Sequence, residues 1–394
     1  MTIYLDHAAT TPLRREVLDA MMPYLTDVYG NPSSAHAAGR AARAGLDDAH
    51  EQVATRLHAE PREIVFTSGG TEANNLAIKG AAWAGKARGH RIVTSAIEHH
   101  AVGHAMRYLE KFGFEVVELP VDRYGRVDPD QVDAALTDRT VLVSIMLANN
   151  EVGTIQPVAD IARRVRARRG VLFHVDAVQA APYVDIDVGA LDADLISLGA
   201  HKFEGPKGVG ALFVRHGTHL LAQQHGGTQE RHRRAGTENV AGAVGLAAAY
   251  ELSCAERPVT VARLRRARQR LQRAILAVPG TELTGHPTER LPGLLSIIAR
   301  GTDGASVALS LDLEGIAASV GSACTTGSTE VSHVLTAMGY PEDEARGALR
   351  LSLGRTTTDE ELATAEAVVP RVVASMQVGA TAVAADPLNQ GVPA

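Results

Sequence analysis

Residues 195–210 read LISLGAHKFEGPKGVG, and the rest of the chain is organised around this stretch. The apolar run 195–198 predicts a buried strand that delivers His201 and Lys202 to its end, before a glycine-proline turn leads into a second apolar run. A lysine at the mouth of a sheet can be partly desolvated, which lowers its pKa and makes the amine a nucleophile. Taken alone, however, the stretch favours a surface lysine in a loop, because short motifs often match by chance.

Apolar runs and helical patterns alternate along most of the chain. The predicted strands are 64–68, 91–97, 115–119, 140–148, 171–175, 195–199 and 210–214, and the helices between them include 71–86, 99–112 and a helix ending at 169. The strands are continuously apolar, which is typical of a mostly parallel sheet covered by helices on both faces. Ligands of such α/β sheets bind beyond the carboxyl ends of the strands. Thr71, His99, Asn150, Asp176 and Lys202 are all predicted there.

The length and the later sequence pattern predict two domains. With 394 residues, 45% of them hydrophobic, the chain can bury more than one core. We predict a large domain at 15–257 and a small domain formed by 1–14 and 258–377, because an Arg-rich amphipathic helix is expected at 259–277. Residues 378–394 show no periodicity, which predicts a mobile tail.

Composition excludes several classes of protein. The net charge of −6, with acids and bases interspersed, argues against nucleic-acid binding, and the basic run 163–169 is typical of a solvated helix face. The chain shows neither a signal-peptide pattern nor an apolar run of membrane-spanning length. Two cysteines make no disulfide framework, which favours the cytoplasm. His99, His100 and His104 lack a matching ligand set elsewhere, so no metal is predicted.

Two short motifs offer an anion site and a buried carboxylate. Residues 68–71, SGGT, end a strand and open a helix, where glycines allow close approach and free N–H groups favour an anion. A phosphate cradle and a plain tight turn are equally consistent with this motif. Asp176 lies at a strand end, 26 residues before Lys202. A strand-end Asp and a lysine form the usual arrangement around pyridoxal phosphate (PLP), although a helix cap is the commoner role of such an Asp.

The two cysteines lie in contrasting contexts. Cys324 is surrounded by small polar residues in 318–328, ASVGSACTTGS, a composition typical of a flexible loop, so its thiol is a candidate nucleophile. Cys254 lies in an Ala-rich helical pattern and is predicted to be a buried core residue. His99 would suit stacking on a flat cofactor, with a purely structural histidine as the alternative.

Nine segments in order resemble those of the cysteine desulfurases, which are fold-type-I, class V aminotransferase-like PLP enzymes. They are GNPSSAH (30–36), TSGGTEANN (67–75), EHHAV (98–102), NNEVGTIQP (149–157), HVDAVQ (174–179), AHKFEGPKG (200–208), RRAGTENV (233–240), GSACTTGS (321–328) and LRLSLGR (349–355). The resemblance implies a mostly parallel seven-stranded sheet domain with a smaller α+β domain. It also implies conversion of L-cysteine to L-alanine, with the sulfur held by Cys324 as a persulfide for an acceptor protein in iron–sulfur cluster assembly or thiolation.

The resemblance also implies a role for each residue around the cofactor ring. Lys202 would carry PLP and then act as the base, Asp176 would pair with the pyridine nitrogen, and Gln179 would reach the ring hydroxyl. His99 would stack on the ring and move protons, and Asn150 would lie beside ring and substrate.

At the phosphate, the resemblance assigns Gly70, Thr71 and His201, together with Thr237 from the neighbouring subunit of a homodimer. Arg350 would pair bidentately with the α-carboxylate of the substrate, a geometry that lysine cannot match.

One departure from the family pattern concerns the phosphate site. Relatives often have Ser-Gly-His-Lys where this chain has Gly199 and Ala200 before the His-Lys pair. The serine hydroxyl that touches the phosphate is therefore missing. Selenocysteine lyase, another PLP-dependent C–S lyase and a non-catalytic sulfur-carrier scaffold remain alternatives to the desulfurase.

Overall fold

A seven-stranded sheet forms the centre of the computed structural model, which describes residues 2–321 and 331–384. In chain order the strands are β1 (Ile3–Tyr4), β2 (Ile64–Thr67), β3 (Arg91–Ser95), β4 (Glu115–Leu119), β5 (Thr140–Met146), β6 (Leu172–Asp176), β7 (Leu195–Gly199), β8 (Gly210–Val214), β9 (Thr281–Leu283), β10 (Leu294–Ala299), β11 (Ile316–Ala317) and β12 (Ala348–Ser352). The central sheet has the order β2-β8-β7-β6-β5-β3-β4. Its strands are parallel from β7 to β4, and β8 is antiparallel to both of its neighbours. The predicted mostly parallel α/β sheet is confirmed.

Helices cover both faces of this sheet. In chain order, the helices of the described residues are α1 (Arg15–Thr26), α2 (Ala37–Leu57), α3 (Gly70–Gly85), α4 (His100–Glu110), α5 (Pro129–Ala135), α6 (Val158–Arg166), α7 (Val188–Leu191), α8 (Val240–Leu276), α9 (Gly304–Leu313), α10 (His333–Ala337), α11 (Glu342–Ala345) and α12 (Asp359–Ala384). Successive residues of β5 point to opposite faces: Leu142 packs in the apolar cluster of α3 and α4, and Val143 packs in the cluster of α1, α2 and α8. Each such buried side chain stabilises the fold by about 1.5–3 kcal/mol. Continuously apolar strands follow from this covering of both faces.

A second apolar cluster lies around a smaller sheet. The antiparallel strands β12, β10 and β9 pack with α9, α12 and the second half of α8. The pair β1–β11 joins the chain start to this cluster through the register Ile3 to Ile316. The division into domains at 257/258 stays a prediction.

Helix α8 differs from the sequence prediction because it begins at Val240, far before the predicted start at 259. It continues through Pro258. The alanines of its first half favour a helix without an amphipathic pattern, and this half packs on α1 and α2.

Helix α12 continues to Ala384, and the mobile tail at 378–394 stays a prediction. One further prediction needs correction. Cys254 is only half-buried, and its Sγ lies 3.0 Å from the Nη2 of Arg257. Burial raises the pKa of this thiol. Of the helices in the described ranges, none is both long enough and apolar enough to cross a membrane.

Candidate active site

A cavity of about 650 Å³ opens at the carboxyl ends of the central strands. Asp176 ends β6, the turn after β7 carries His201 and Lys202, and the segment after β3 carries His99. The cavity is also lined by Gly70, Thr71, Asn150, Gln179 and Arg350. Residues that are far apart in the sequence thus meet at one edge of the sheet, as the parallel topology predicts.

The start of α3 forms an anion cradle at one end of this cavity. Gly69 precedes the helix with φ +151°, a conformation that favours glycine, and the first-turn N–H groups of α3 are available to an anion. A Cβ on Gly70 would lie 2.6 Å from Cγ2 of Val178, so the backbone there is closely packed. His201 lies nearby, with Nδ1 3.1 Å from Oγ1 of Thr10. Burial lowers the pKa of His201 to about 4, with a further contribution from Lys202, so this imidazole is neutral at pH 7.

Asp176 is a buried carboxylate with two donors. Its Oδ2 accepts a hydrogen bond from Nδ2 of Asn74 at 2.7 Å, and its Oδ1 accepts one from the backbone N–H of Val178 at 3.0 Å. Asn74 lies on the first turns of α3 and is itself 1% exposed. Two donors fix the orientation of this carboxylate, which lines the cavity.

Lys202 follows β7 on a single 3₁₀ turn, residues Ala200–Lys202. Its Nζ donates to the carbonyl oxygens of Ala8 and Ala9, at 2.5 and 2.9 Å. The N-terminal arm therefore holds the amine at the cavity wall. Because the side chain is half-buried, the amine stands at the boundary between the sheet and the cavity.

His99 is the N-cap of α4. Its Nδ1 accepts the backbone N–H of Ala101 at 3.1 Å, so the proton of the neutral ring is on Nε2. Burial lowers the pKa of His99, and the nearby Asp176 opposes this effect in part. A neutral imidazole in contact with the cavity can accept a proton.

Arg350 lines the cavity although it is 1% exposed. Its Nη2 donates to Oδ1 of Asp6 at 2.9 Å, and its Nη1 donates to the carbonyl oxygens of Asn150 and Gly321 at 3.0 and 3.2 Å. Its Nε has no partner among the described residues. The Nε–Nη2 edge of a guanidinium matches a carboxylate.

Asn150 stands on a tight turn that Asn149 organises. The side-chain Oδ1 of Asn149 accepts the N–H groups of Glu151 and Val152, at 2.8 and 2.9 Å, and its Nδ2 donates to the carbonyl of Ile97. This turn places Asn150 beside the cavity and buries the carboxylate of Glu151 in its wall.

Of the predicted site residues that the structure describes, Thr237 is not brought into the cavity. Thr237 is exposed and does not line the cavity of its own protomer. Cys324 lies outside the described residues. Within 2–321 and 331–384, no cluster of three or more His, Cys, Asp or Glu side chains is arranged to hold a metal ion. The rings of His100 and His104 lie 4.9 Å apart beside the cavity.

Sequence reasoning missed Asn74, Asp6 and Glu151. The Asn74-Asn75 pair on the helix that starts at the glycine turn is a signal that could have pointed to Asn74. Asp6 and Glu151 each become site residues only through a partner that is distant in sequence, since Asp6 meets Arg350 and Glu151 meets Ser332.

The comparisons with known proteins agree with this geometry. The aminotransferase class-V family model matches residues 3–364. The chain is 49% identical over 375 residues to a protein named cysteine desulfurase IscS from Methanosarcina thermophila, covering 95% of this chain and 93% of that protein. This chain belongs to the class-V aminotransferase family. Within that family it belongs to the cysteine desulfurases.

Solved structures show the same fold over nearly the whole chain. A NifS-like protein superposes with a TM-score of 0.90 at 37% identity, covering 95% of this chain and all of that one. The structure described as SspA in complex with cysteine superposes with a TM-score of 0.80 at 36% identity, covering 89% of this chain and 99% of that one.

Proposed function

We propose that this chain is a PLP-dependent cysteine desulfurase, which converts L-cysteine to L-alanine and takes the sulfur onto Cys324. The observation that carries the proposal is the meeting of Lys202, Asp176, His99 and Arg350 around one cavity. The names of the relatives support the reaction, and the SspA structure with cysteine supports the substrate.

The residues present fit PLP. Asp176, a buried carboxylate held by two donors, suits a protonated pyridine nitrogen, and the start of α3 suits a phosphate group. The Oε1 of Gln179 is buried and has no partner within the described part of the chain, so it can accept a hydrogen bond from the ring hydroxyl. His201, neutral at pH 7, can donate to the phosphate, and Lys202 supplies the amine that anchors the cofactor.

When bound, PLP supplies an electron sink for the carbon from which a proton is removed. Lys202 Nζ takes the proton from Cα of L-cysteine, and the carbonyl oxygens of Ala8 and Ala9 hold the amine in place. The Nε–Nη2 edge of Arg350 binds the substrate carboxylate, with Asn150 beside it.

Sulfur transfer requires a thiolate at Cys324, and neutral His99 is the candidate proton acceptor. The Cys324 sulfur attacks the sulfur of the substrate, so an S–S bond forms while the C–S bond breaks. Reprotonation of the remaining carbon skeleton releases alanine. The enzyme thiol and L-cysteine are thus converted to the enzyme persulfide and L-alanine, and no other reactant is needed.

A homodimer fits the position of Thr237. The residue is exposed and lies away from its own cavity, which suits a contribution to the phosphate site of a neighbouring subunit. The persulfide would then be passed to an acceptor protein in iron–sulfur cluster assembly or thiolation, in the reducing cytoplasm where a free thiol persists.

Two variants test the proposal. Lys202→Ala should lose the visible absorption of the bound cofactor, and Cys324→Ser should keep that absorption but form no persulfide. Alanine release and persulfide on the protein are measured after L-cysteine is added. Turnover of selenocysteine but not of cysteine would replace the desulfurase by the lyase alternative, and no alanine from either substrate would refute the proposal.

A further inference from the structure

Glu151 is a buried carboxylate in the cavity wall that the reaction above leaves without a role. Its side chain belongs to a residue that is 3% exposed, and Oε2 accepts a hydrogen bond from Oγ of Ser332 at 2.5 Å. The backbone of Glu151 is fixed by Asn149, whose Oδ1 accepts its N–H. A hydrogen bond at this depth is strong because little water competes for it.

Gly321 reaches the same carboxylate from the other side. A Cβ placed on Gly321 would lie 2.9 Å from Oε2 of Glu151 and 3.8 Å from Cβ of Ser332. The backbone at 321 can therefore approach the carboxylate only without a side chain. Gly321 and Ser332 are thus both close to Glu151, and Cys324 lies between these two residues in the sequence.

Arg350 links Gly321 with the proposed substrate site. Its Nη1 donates to the carbonyl oxygen of Gly321 at 3.2 Å and to that of Asn150 at 3.0 Å. The backbones of Arg350 and Ser319 exchange hydrogen bonds of 2.7 and 3.1 Å. The residues on the N-terminal side of 322–330 are thus bound to the arginine proposed for the substrate carboxylate.

We infer that Glu151 and Ser332 form an anchor that holds both ends of the Cys324-bearing segment beside Arg350, so Glu151 is a positioning residue for sulfur transfer. The inference rests on the proposed function, since it needs Cys324 to receive the sulfur. Bringing the ends of a segment together reduces the volume that its residues can search. Placement matters for a nucleophile, since a displacement of about 1 Å can cost ~100-fold in rate.

The test compares Glu151→Ala with Glu151→Gln in the cofactor-loaded full chain. The rate of persulfide formation on Cys324 after one turnover should fall by about 10- to 100-fold in Glu151→Ala. Glu151→Gln should recover most of that rate, because its amide oxygen still accepts the Ser332 hydroxyl. The cofactor absorption and the Kd for L-cysteine, read from the spectral change on binding, should be unchanged in both, which a general loss of structure would not allow.

Ser332 gives an independent version of the same test. Ser332→Ala should slow persulfide formation as Glu151→Ala does, and Ser332→Thr, which keeps a hydroxyl, should not. Thr336→Ala is the matched control, because this exposed threonine is on the same short helix and its hydroxyl bonds only the Ser332 carbonyl within the described structure. It should behave as the wild type.

Two results with the Glu151 variants would overturn the inference that Glu151 and Ser332 form an anchor. Equal persulfide rates in Glu151→Ala and the wild type would show that the contact positions nothing. A Glu151→Gln variant as slow as Glu151→Ala would mean that the charge acts and not the contact. A wild-type enzyme that releases no alanine refutes the proposed function, and the anchor with it. Alanine release by the wild type therefore distinguishes a failure of the anchor from a failure of the proposed function.

Discussion

Replacement of Glu98 by glutamine should change how the stability of the protein depends on pH. Glu98 is buried beside the cavity, where Oε1 accepts hydrogen bonds from Oγ of Ser95 and N–H of Met146, at 2.5 and 3.0 Å. Burial, with a smaller contribution from the charge of Asp176, raises its pKa from 4.5 to about 8, although the hydrogen bonds from Ser95 and Met146 oppose this shift. The folded protein therefore keeps a proton on Glu98 at pH 7, whereas the unfolded chain has lost it.

The sign and size of this change in the free energy of unfolding follow from proton linkage. A carboxyl group with a raised pKa in the folded state contributes its full stability below pH 4.5 and loses it as the pH rises through 8. Between these limits the loss is about 1.4 kcal/mol per pH unit. Glutamine is neutral throughout. From pH 5 to pH 7 the free energy of unfolding of Glu98→Gln should therefore gain about 3 kcal/mol relative to the wild type.

Urea unfolding of both proteins at pH 5, 6, 7 and 8 measures this difference, and every other titrating group cancels between them. Glu110→Gln, on the exposed end of α4, is the matched control for the loss of one carboxylate. Its effect should stay within about 0.5 kcal/mol at each pH. A Glu98→Gln difference that is the same at pH 5 and pH 7 would refute a protonated, buried Glu98.

Two further substitutions test the cofactor site. Asn74→Leu removes a buried donor from the carboxylate of Asp176 and should lower the free energy of unfolding by about 1.5–3 kcal/mol. The neighbouring Asn75→Leu, which loses a bond to a backbone carbonyl, should cost about 1 kcal/mol or less, and equal costs would contradict the role of Asn74. Gly199→Ser should slow PLP release by about fivefold, since a hydrogen bond to a charged phosphate outweighs moving the Val178 methyl, which lies 3.2 Å from the added Cβ. Gly199→Ala adds the Cβ alone and should not slow release; if it does so equally, the hydroxyl is not responsible.

Much of the fold could be predicted because its signal is local. Strands buried on both faces are apolar at most positions, so β5 and β7 are visible in the sequence without any partner. Parallel strands then bring their carboxyl ends to one edge, which predicts that Asp176 and Lys202 meet. The start of α8 was missed, because its Ala-rich first half has no amphipathic pattern to mark where the helix begins.

The sequence by itself determined the α/β sheet, the glycine turn at the start of α3 and the lysine of residues 195–210, since each depends on neighbours along the chain. Only the tertiary structure decided what holds these groups. Asp6 binds Arg350 from 344 residues away, and the carbonyl oxygens of Ala8 and Ala9 hold the amine of Lys202. Such contacts depend on where the folded chain returns, and a polar residue in an arm or turn has no local pattern that records its distant partner.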